Sequence, residues 1–147
     1  MKTRIGVYAG SFNPFHVGHY NVYQQALKQF DKVIIAVGRN SSKDGIERES
    51  LMLDCIPYVN HYDGLLSDEL KFMANNYENA DITLVRGLRN IYDLNAEQNM
   101  LAFIRSMYPE LKVVYFMCEP QFAHISSSAL RDIRKFSEEE YQKYLVK

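Results

Sequence analysis

The 147-residue sequence carries no surplus of either charge: 17 Lys and Arg stand against 18 Asp and Glu, a net charge of −1. Without a basic footprint there is nothing to hold a nucleic acid or an anionic membrane through the field of the whole molecule, so any anion must be held by local groups. Long apolar runs are missing as well. The N-terminal Ile5–Gly10 stretch is too short for a secretory signal, and nothing approaches the ~18 apolar residues of a membrane span. A cytoplasmic protein is expected. The two cysteines, Cys55 and Cys118, match no metal-ligand or CxxC spacing and are expected to be buried thiols in a reducing compartment. No repeat, low-complexity tract or interdomain linker interrupts the chain, which predicts one domain over residues 1–147.

What is present alternates between two periodicities. Arg4–Tyr8, Lys32–Val37, Val59–Tyr62, Ile82–Val85 and Lys112–Met117 read as short strands; Lys32–Val37 is continuous and β-branched, as in a strand buried on both faces. Between and after them lie helix-like stretches: 19–29 with Val22, Ala26, Leu27 and Phe30 on one face, 47–56, 67–76 with a Ser67 start, 93–107, and 126–134 behind a serine cluster. Ser137 followed by three glutamates starts a last helix. The alternation predicts an α/β fold with a parallel sheet and helices on both faces. In such folds ligands bind beyond the carboxyl ends of the strands. The unusual polar residues do follow strand ends: Gly10-Ser11, Asn40–Lys43, Arg86–Arg89 and His124–Ser128.

Four segments carry chemistry. In Gly10–His19 a glycine lets backbone approach a phosphate, the start of the next helix offers N–H groups, and His16 and His19 flank Gly18 so that both imidazoles can face one small volume. Neither GxxxxGK[ST] nor GxGxxG is present. The plain structural alternative is a turn with two ordinary histidines. In Val85-Arg86-Gly87-Leu88-Arg89 two guanidinium forks stand at a strand end; as mere surface cations they would sit against the dipole of the following helix. In His124–Arg131, Ser126, Ser127 and Ser128 offer more hydroxyls than one cap requires. Lys43 is a point cation on a loop, a common place for a solvated lysine. Asp93 and Glu97, four apart on a helix, suit a ribose or metal contact and equally a local ion pair.

Together these segments resemble the HxGH nucleotidyltransferase superfamily and, within it, the phosphopantetheine adenylyltransferases. The likeness covers about residues 5–135. It rests on Tyr8–Pro14 with His16-Val17-Gly18-His19, Ser42-Lys43, Asp63-Gly64-Leu65-Leu66, Val85–Arg89 with Asp93 and Glu97, and Ile125–Ser128. It implies a single-domain dinucleotide-binding (Rossmann-like) fold and transfer of AMP from MgATP to 4′-phosphopantetheine, giving dephospho-CoA and pyrophosphate. Mg2+ is expected through the ATP phosphates, without a protein metal site. By position, the resemblance implies catalytic roles for His19, Lys43 and Arg89. It implies ATP contacts at Gly10, Ser11, Phe12, His16, His19, Gly87, Leu88, Arg89, Glu97, Phe122, Ala123, His124, Ile125, Ser126, Ser127 and Ser128. Ser11, Lys43, Leu66 and Arg86 fall on the phosphopantetheine side, and a homo-oligomer, a hexamer, is implied. Asn13 and His16 depart from the family's usual Asp and Thr; the wording Ser-Phe-Asn-Pro-Phe-His is similar to nicotinate or nicotinamide mononucleotide adenylyltransferases, the alternative activity. A nucleotide-binding module without catalysis is a third reading.

Overall fold

The alternation read as strand and helix is realised in a computed structural model, which describes residues 1–39 and 54–147. Five strands, β1 (Thr3–Gly10), β2 (Lys32–Gly38), β3 (Val59–Tyr62), β4 (Ala80–Leu88) and β5 (Lys112–Met117), form one sheet in the order β3-β2-β1-β4-β5. All neighbours are parallel. The order reverses between β1 and β4, so loops leaving these two strands diverge and open a crevice at their carboxyl ends.

The helices are α1 (Val17–Leu27), α2 (Leu66–Asn76), α3 (Ile91–Met107), α4 (Ser127–Phe136) and α5 (Glu138–Gln142), with a 3-10 turn at Pro120–Phe122. The continuous apolar run of β2 is shared between two cores, because successive side chains point to opposite faces. Val33, Ile35 and Val37 join Tyr8, Val22, Val85, Leu130 and Tyr141 on one face. Ile34 and Ala36 join Val7, Leu70, Leu84 and Ile104 on the other. The expected doubly covered parallel sheet is present.

Several local expectations change. β4 does not stop at Val85 but runs through Arg86 and Gly87 to Leu88. A Cβ on Gly87 would stand 2.9 Å from Val22 and 3.2 Å from the Tyr8 hydroxyl, so glycine here permits the close approach of α1. Ser67 is not a helix cap: α2 begins at Leu66 with Asp68 and Glu69 in its first turn, and the Ser67 hydroxyl reaches the Met107 sulfur. Leu27 is exposed, outside the apolar face of α1. Of the two cysteines only Cys118 is buried; Cys55 is exposed in the turn at 54–55. That turn also replaces the described end of the helix expected at 47–56, whose remainder lies outside the described residues, as do Lys43 and the loop 40–45. No helix among the described residues is long and apolar enough to cross a membrane.

Candidate functional site

The segment between β1 and α1 is shaped by aromatic packing. Phe12 sits at a positive φ of 46°, a costly conformation for a bulky residue, and is 7% exposed. Its ring meets Tyr8, Phe15 and His19 edge-on at centroid distances of 5.0, 5.3 and 5.0 Å. Phe15 stacks on His19 at 5.4 Å. The Asn13–Pro14 peptide is cis. Two groups of α4 hold this turn from outside: the Ser127 hydroxyl donates to the Pro14 carbonyl and the Arg131 guanidinium to the Asn13 carbonyl.

His16 and His19 form a reciprocal cap at the start of α1. His16 Nδ1 accepts from the Gly18 and His19 N–H groups at 3.0 and 3.4 Å, and His19 Nδ1 accepts from the His16 N–H at 3.1 Å. The Val17 N–H donates to the Tyr144 carbonyl. The backbone donors expected to greet an anion here are therefore already spent, a correction to the sequence reading. What the site offers instead follows from the same bonds. With both Nδ1 atoms accepting, each neutral ring carries its proton on Nε2. Burial lowers the His16 pKa to about 4, helped by the Arg89 charge. Burial, His16, Arg89 and Arg86 hold His19 well below the ordinary value. At neutral pH both rings are uncharged N–H donors.

The arginines also differ from the free forks foreseen. Arg86 Nε donates to both Glu97 oxygens at 3.1 and 3.0 Å, Nη2 to Glu97 at 2.6 Å, and Nη1 to the Ala9 carbonyl at 2.6 Å. Burial opposes the Arg86 charge, but the Glu97 hydrogen bonds and charge outweigh it and raise its pKa. Arg89 is bound through Nε and Nη2 to Asp93, which also takes the Arg89 N–H; the pairing lowers the Asp93 pKa. The two carboxylates thus fix the two cations at the end of β4, and each guanidinium keeps N–H groups that these bonds do not use. Among the described residues no group of three His, Cys, Asp or Glu comes together to hold a metal.

Two cavities meet at this point. The larger, about 360 Å³, is lined by His16, Gly18, Leu88, Arg89, Asp93, Glu97, Cys118, Phe122, Ile125, Ser126, Ser128 and Arg131. The smaller, about 200 Å³, has Ala9, Gly10, Phe12 and Arg86. Tyr8, Ser11, His19, Gly87 and Ser127 line both. Gly10, Phe12 and Arg86 thus face the smaller space. Ala123, exposed His124 and Leu66 line neither; Leu66 packs against the α2–α3 core. The serines divide their tasks, Ser126 capping α4 at the Ala129 N–H and Ser127 holding Pro14. Sequence reasoning missed Tyr8, Val22, Cys118 and Arg131 as lining residues, while Asp93, read as a ribose or metal contact or a local ion pair, lines the larger cavity and pairs with Arg89. Arg131, one turn beyond Ser127 and Ser128 on α4, was findable from helical spacing.

The chain has counterparts among known proteins. Residues 7–133 match the cytidylyltransferase-like family model. The chain is 35% identical to phosphopantetheine adenylyltransferase of Clostridium perfringens over 145 residues, 92% of this chain and 85% of that one. It is 31% identical to the enzyme of the same name from Streptococcus gordonii, over 95% and 87% of the two chains. Similar solved structures are a putative nicotinate-nucleotide adenylyltransferase from Vibrio parahaemolyticus (TM-score 0.57, 20% identity, 90% and 86% coverage) and a bifunctional NMN adenylyltransferase/ADP ribose pyrophosphatase from Francisella tularensis (TM-score 0.59, 18% identity, 97% and 44% coverage). At these identities the two structures speak to the Rossmann-like fold. Family model and sequence relatives together place the chain: it belongs to the cytidylyltransferase-like family, among the phosphopantetheine adenylyltransferases.

Proposed function

We propose that this protein transfers AMP from MgATP to 4′-phosphopantetheine, giving dephospho-CoA and pyrophosphate. The observation that carries the reading is the pair of cavities joined at Ser11 and His19. A two-substrate transfer needs a donor space, an acceptor space and one shared point where they react. The larger cavity suits ATP, with Arg89, Arg131, Ser126 and Ser128 toward the phosphates. The smaller suits the acceptor phosphate beside Arg86. Lys43, outside the described residues, remains assigned to the acceptor side by resemblance alone.

An oxygen of the acceptor phosphate attacks the α-phosphorus in line, the bond from that phosphorus to the bridging oxygen of the β-phosphate breaks, and pyrophosphate leaves with its electron pair. No covalent enzyme intermediate and no obligatory proton transfer are required. His19 donates from Nε2 to the equatorial oxygens as their charge grows, and its neutral state costs nothing at that moment. Mg2+ arrives on the ATP phosphates as part of the substrate; Asp93 and Glu97 are engaged with Arg89 and Arg86. Pyrophosphate release from MgATP is the test. Release with phosphopantetheine supports the reading, and release with nicotinamide mononucleotide instead overturns it in favour of the activity suggested by Asn13 and His16.

We also propose that copies of the chain associate. Along α3 only Ile104 is buried, while Ile91, Tyr92 and Phe103 are exposed, an apolar surface of the kind oligomers cover. Light scattering at the mass of a hexamer supports this, and a monomer at all concentrations overturns it.

A further inference from the structure

The reciprocal cap of His16 and His19 has a support on the side away from the cavities. The Val17 N–H leaves its own turn to reach the Tyr144 carbonyl at 2.9 Å, and His16 and Leu145 pair as an antiparallel bridge. Leu145 and Tyr141 are 6% and 2% exposed and share one apolar cluster with Phe15, itself fully buried. Phe15 in turn stacks on His19. α5 is anchored in its own right: Ser137 caps it at the Glu140 N–H, and the Arg134 guanidinium lies 4.8 Å over the Tyr141 ring. Tyr141, Tyr144 and Leu145 line neither cavity.

We propose that the segment Tyr141–Leu145 is a strap that sets the orientation of the two histidines, with Leu145 a positioning residue for nucleotidyl transfer although it touches neither substrate. The cap closes within four residues and fixes the rings relative to each other. It does not fix where the pair points. The peptide joining His16 to Val17 does, and that peptide is bonded to the strap. Loss of the strap lets this peptide rotate, and the Nε2 donors leave the point shared by the two cavities. A donor displaced by ~1 Å can cost a hundredfold in rate.

The catalytic sense of the strap rests on the proposed transfer, but its geometric sense does not, so the test has two arms. The first follows the imidazole nitrogens of His16 and His19 by NMR through a pH titration. Arg86 and Arg89 are the charged groups that act on the pair, and every variant retains both residues. In the intact chain His16 titrates near 4 and His19 well below its ordinary value. In Leu145→Ala both move up toward the exposed histidine value of about 6.5. Leu111→Ala, taken from the opposite core, lowers the melting temperature and leaves both titrations unmoved. The second arm is turnover: kcat of Leu145→Ala falls about tenfold or more, with KM for MgATP changed less than about threefold. Should Leu145→Ala not fold, Leu145→Val supplies the same readouts. Unchanged titrations, or shifted titrations with unchanged kcat, overturn the proposal. An intact chain that releases no pyrophosphate with phosphopantetheine overturns the functional reading, while the titration still decides whether the strap exists.

Discussion

His16 and His19 stack with ring centres 3.7 Å apart while each accepts a backbone N–H from the turn the other occupies. Helix capping therefore occupies one nitrogen of each ring, and the proposed transfer calls on the other. His19→Ala removes both. Loss of a single charge-stabilising donor costs about 10²–10³ in kcat, and the orphaned His16 N–H costs on the order of 1 kcal/mol of stability. His16→Ser separates the tasks, because serine is a good N-cap acceptor and has no ring donor. Its melting temperature is expected to fall by the cost of the vacated ring space alone, with the cap kept, while turnover falls. Pyrophosphate release and thermal melts on the two variants check this; an intact rate in either removes the donor role.

Acid should loosen the same turn. The His16 pKa is lowered on folding to about 4, so between this value and the unfolded value near 6.5 the unfolded chain binds more protons. The contribution of neutral His16 is thus complete above about pH 6.5 and is lost as pH falls through about 4, a change on the order of 3 kcal/mol. His19, shifted in the same direction, adds to the slope. Urea melts at intervals from pH 7 to 4 measure it. In His16→Ser the dependence is shallower, and an equal slope in both proteins would assign the acid sensitivity elsewhere.

The central sheet was readable because its signals are local. The β-branched run of β2 and the polar residues at strand ends follow from side-chain chemistry within a few positions. The errors came where a distant partner decides. Arg86-Gly87 looks like a strand end, but Glu97 and the Ala9 carbonyl satisfy the arginine and Val22 fills the space over the glycine. Ser127 looked like a spare hydroxyl for phosphate, yet its acceptor is the Pro14 carbonyl at the far end of the sequence. The histidine pair was read as chemistry and missed as a cap, since Ser, Thr, Asp and Asn are the residues that ordinarily announce one. The Leu145 contact left no trace at all in the local pattern.

Gly18, directly before His19, has no room for a side chain. A Cβ there would lie 2.9 Å from Cε1 and 3.0 Å from Nδ1 of His16. The ring cannot swing aside without giving up its hydrogen bond from the Gly18 N–H. Inside a helix, glycine to alanine ordinarily gains about 1 kcal/mol; a broken cap loses about 0.5–2 kcal/mol, and the clash comes on top. The losses win. Gly18→Ala is expected to melt below the parent and to lose at least tenfold in kcat, about the cost of a misplaced donor. A rise in melting temperature would show that the His16 ring is free to move.

Glu97 offers the sharpest test of how the proposed substrates divide between the two cavities. Arg86 and Glu97 expose only 20% and 11% of their side chains, so removing the carboxylate strands a largely buried cation. Breaking such a pair costs roughly 3 kcal/mol. Arg86 then keeps its bond to the Ala9 carbonyl and loses the two-point grip that aims it at the smaller cavity. Glu97→Ala should therefore raise KM for phosphopantetheine about tenfold or more, while KM for MgATP moves less. Glu97→Gln keeps the shape and one acceptor oxygen, and should recover part of both stability and acceptor affinity. Steady-state kinetics with each substrate varied in turn resolve the two constants. A larger change in the MgATP constant would place the Arg86–Glu97 pair on the nucleotide side and exchange the assignments of the two cavities.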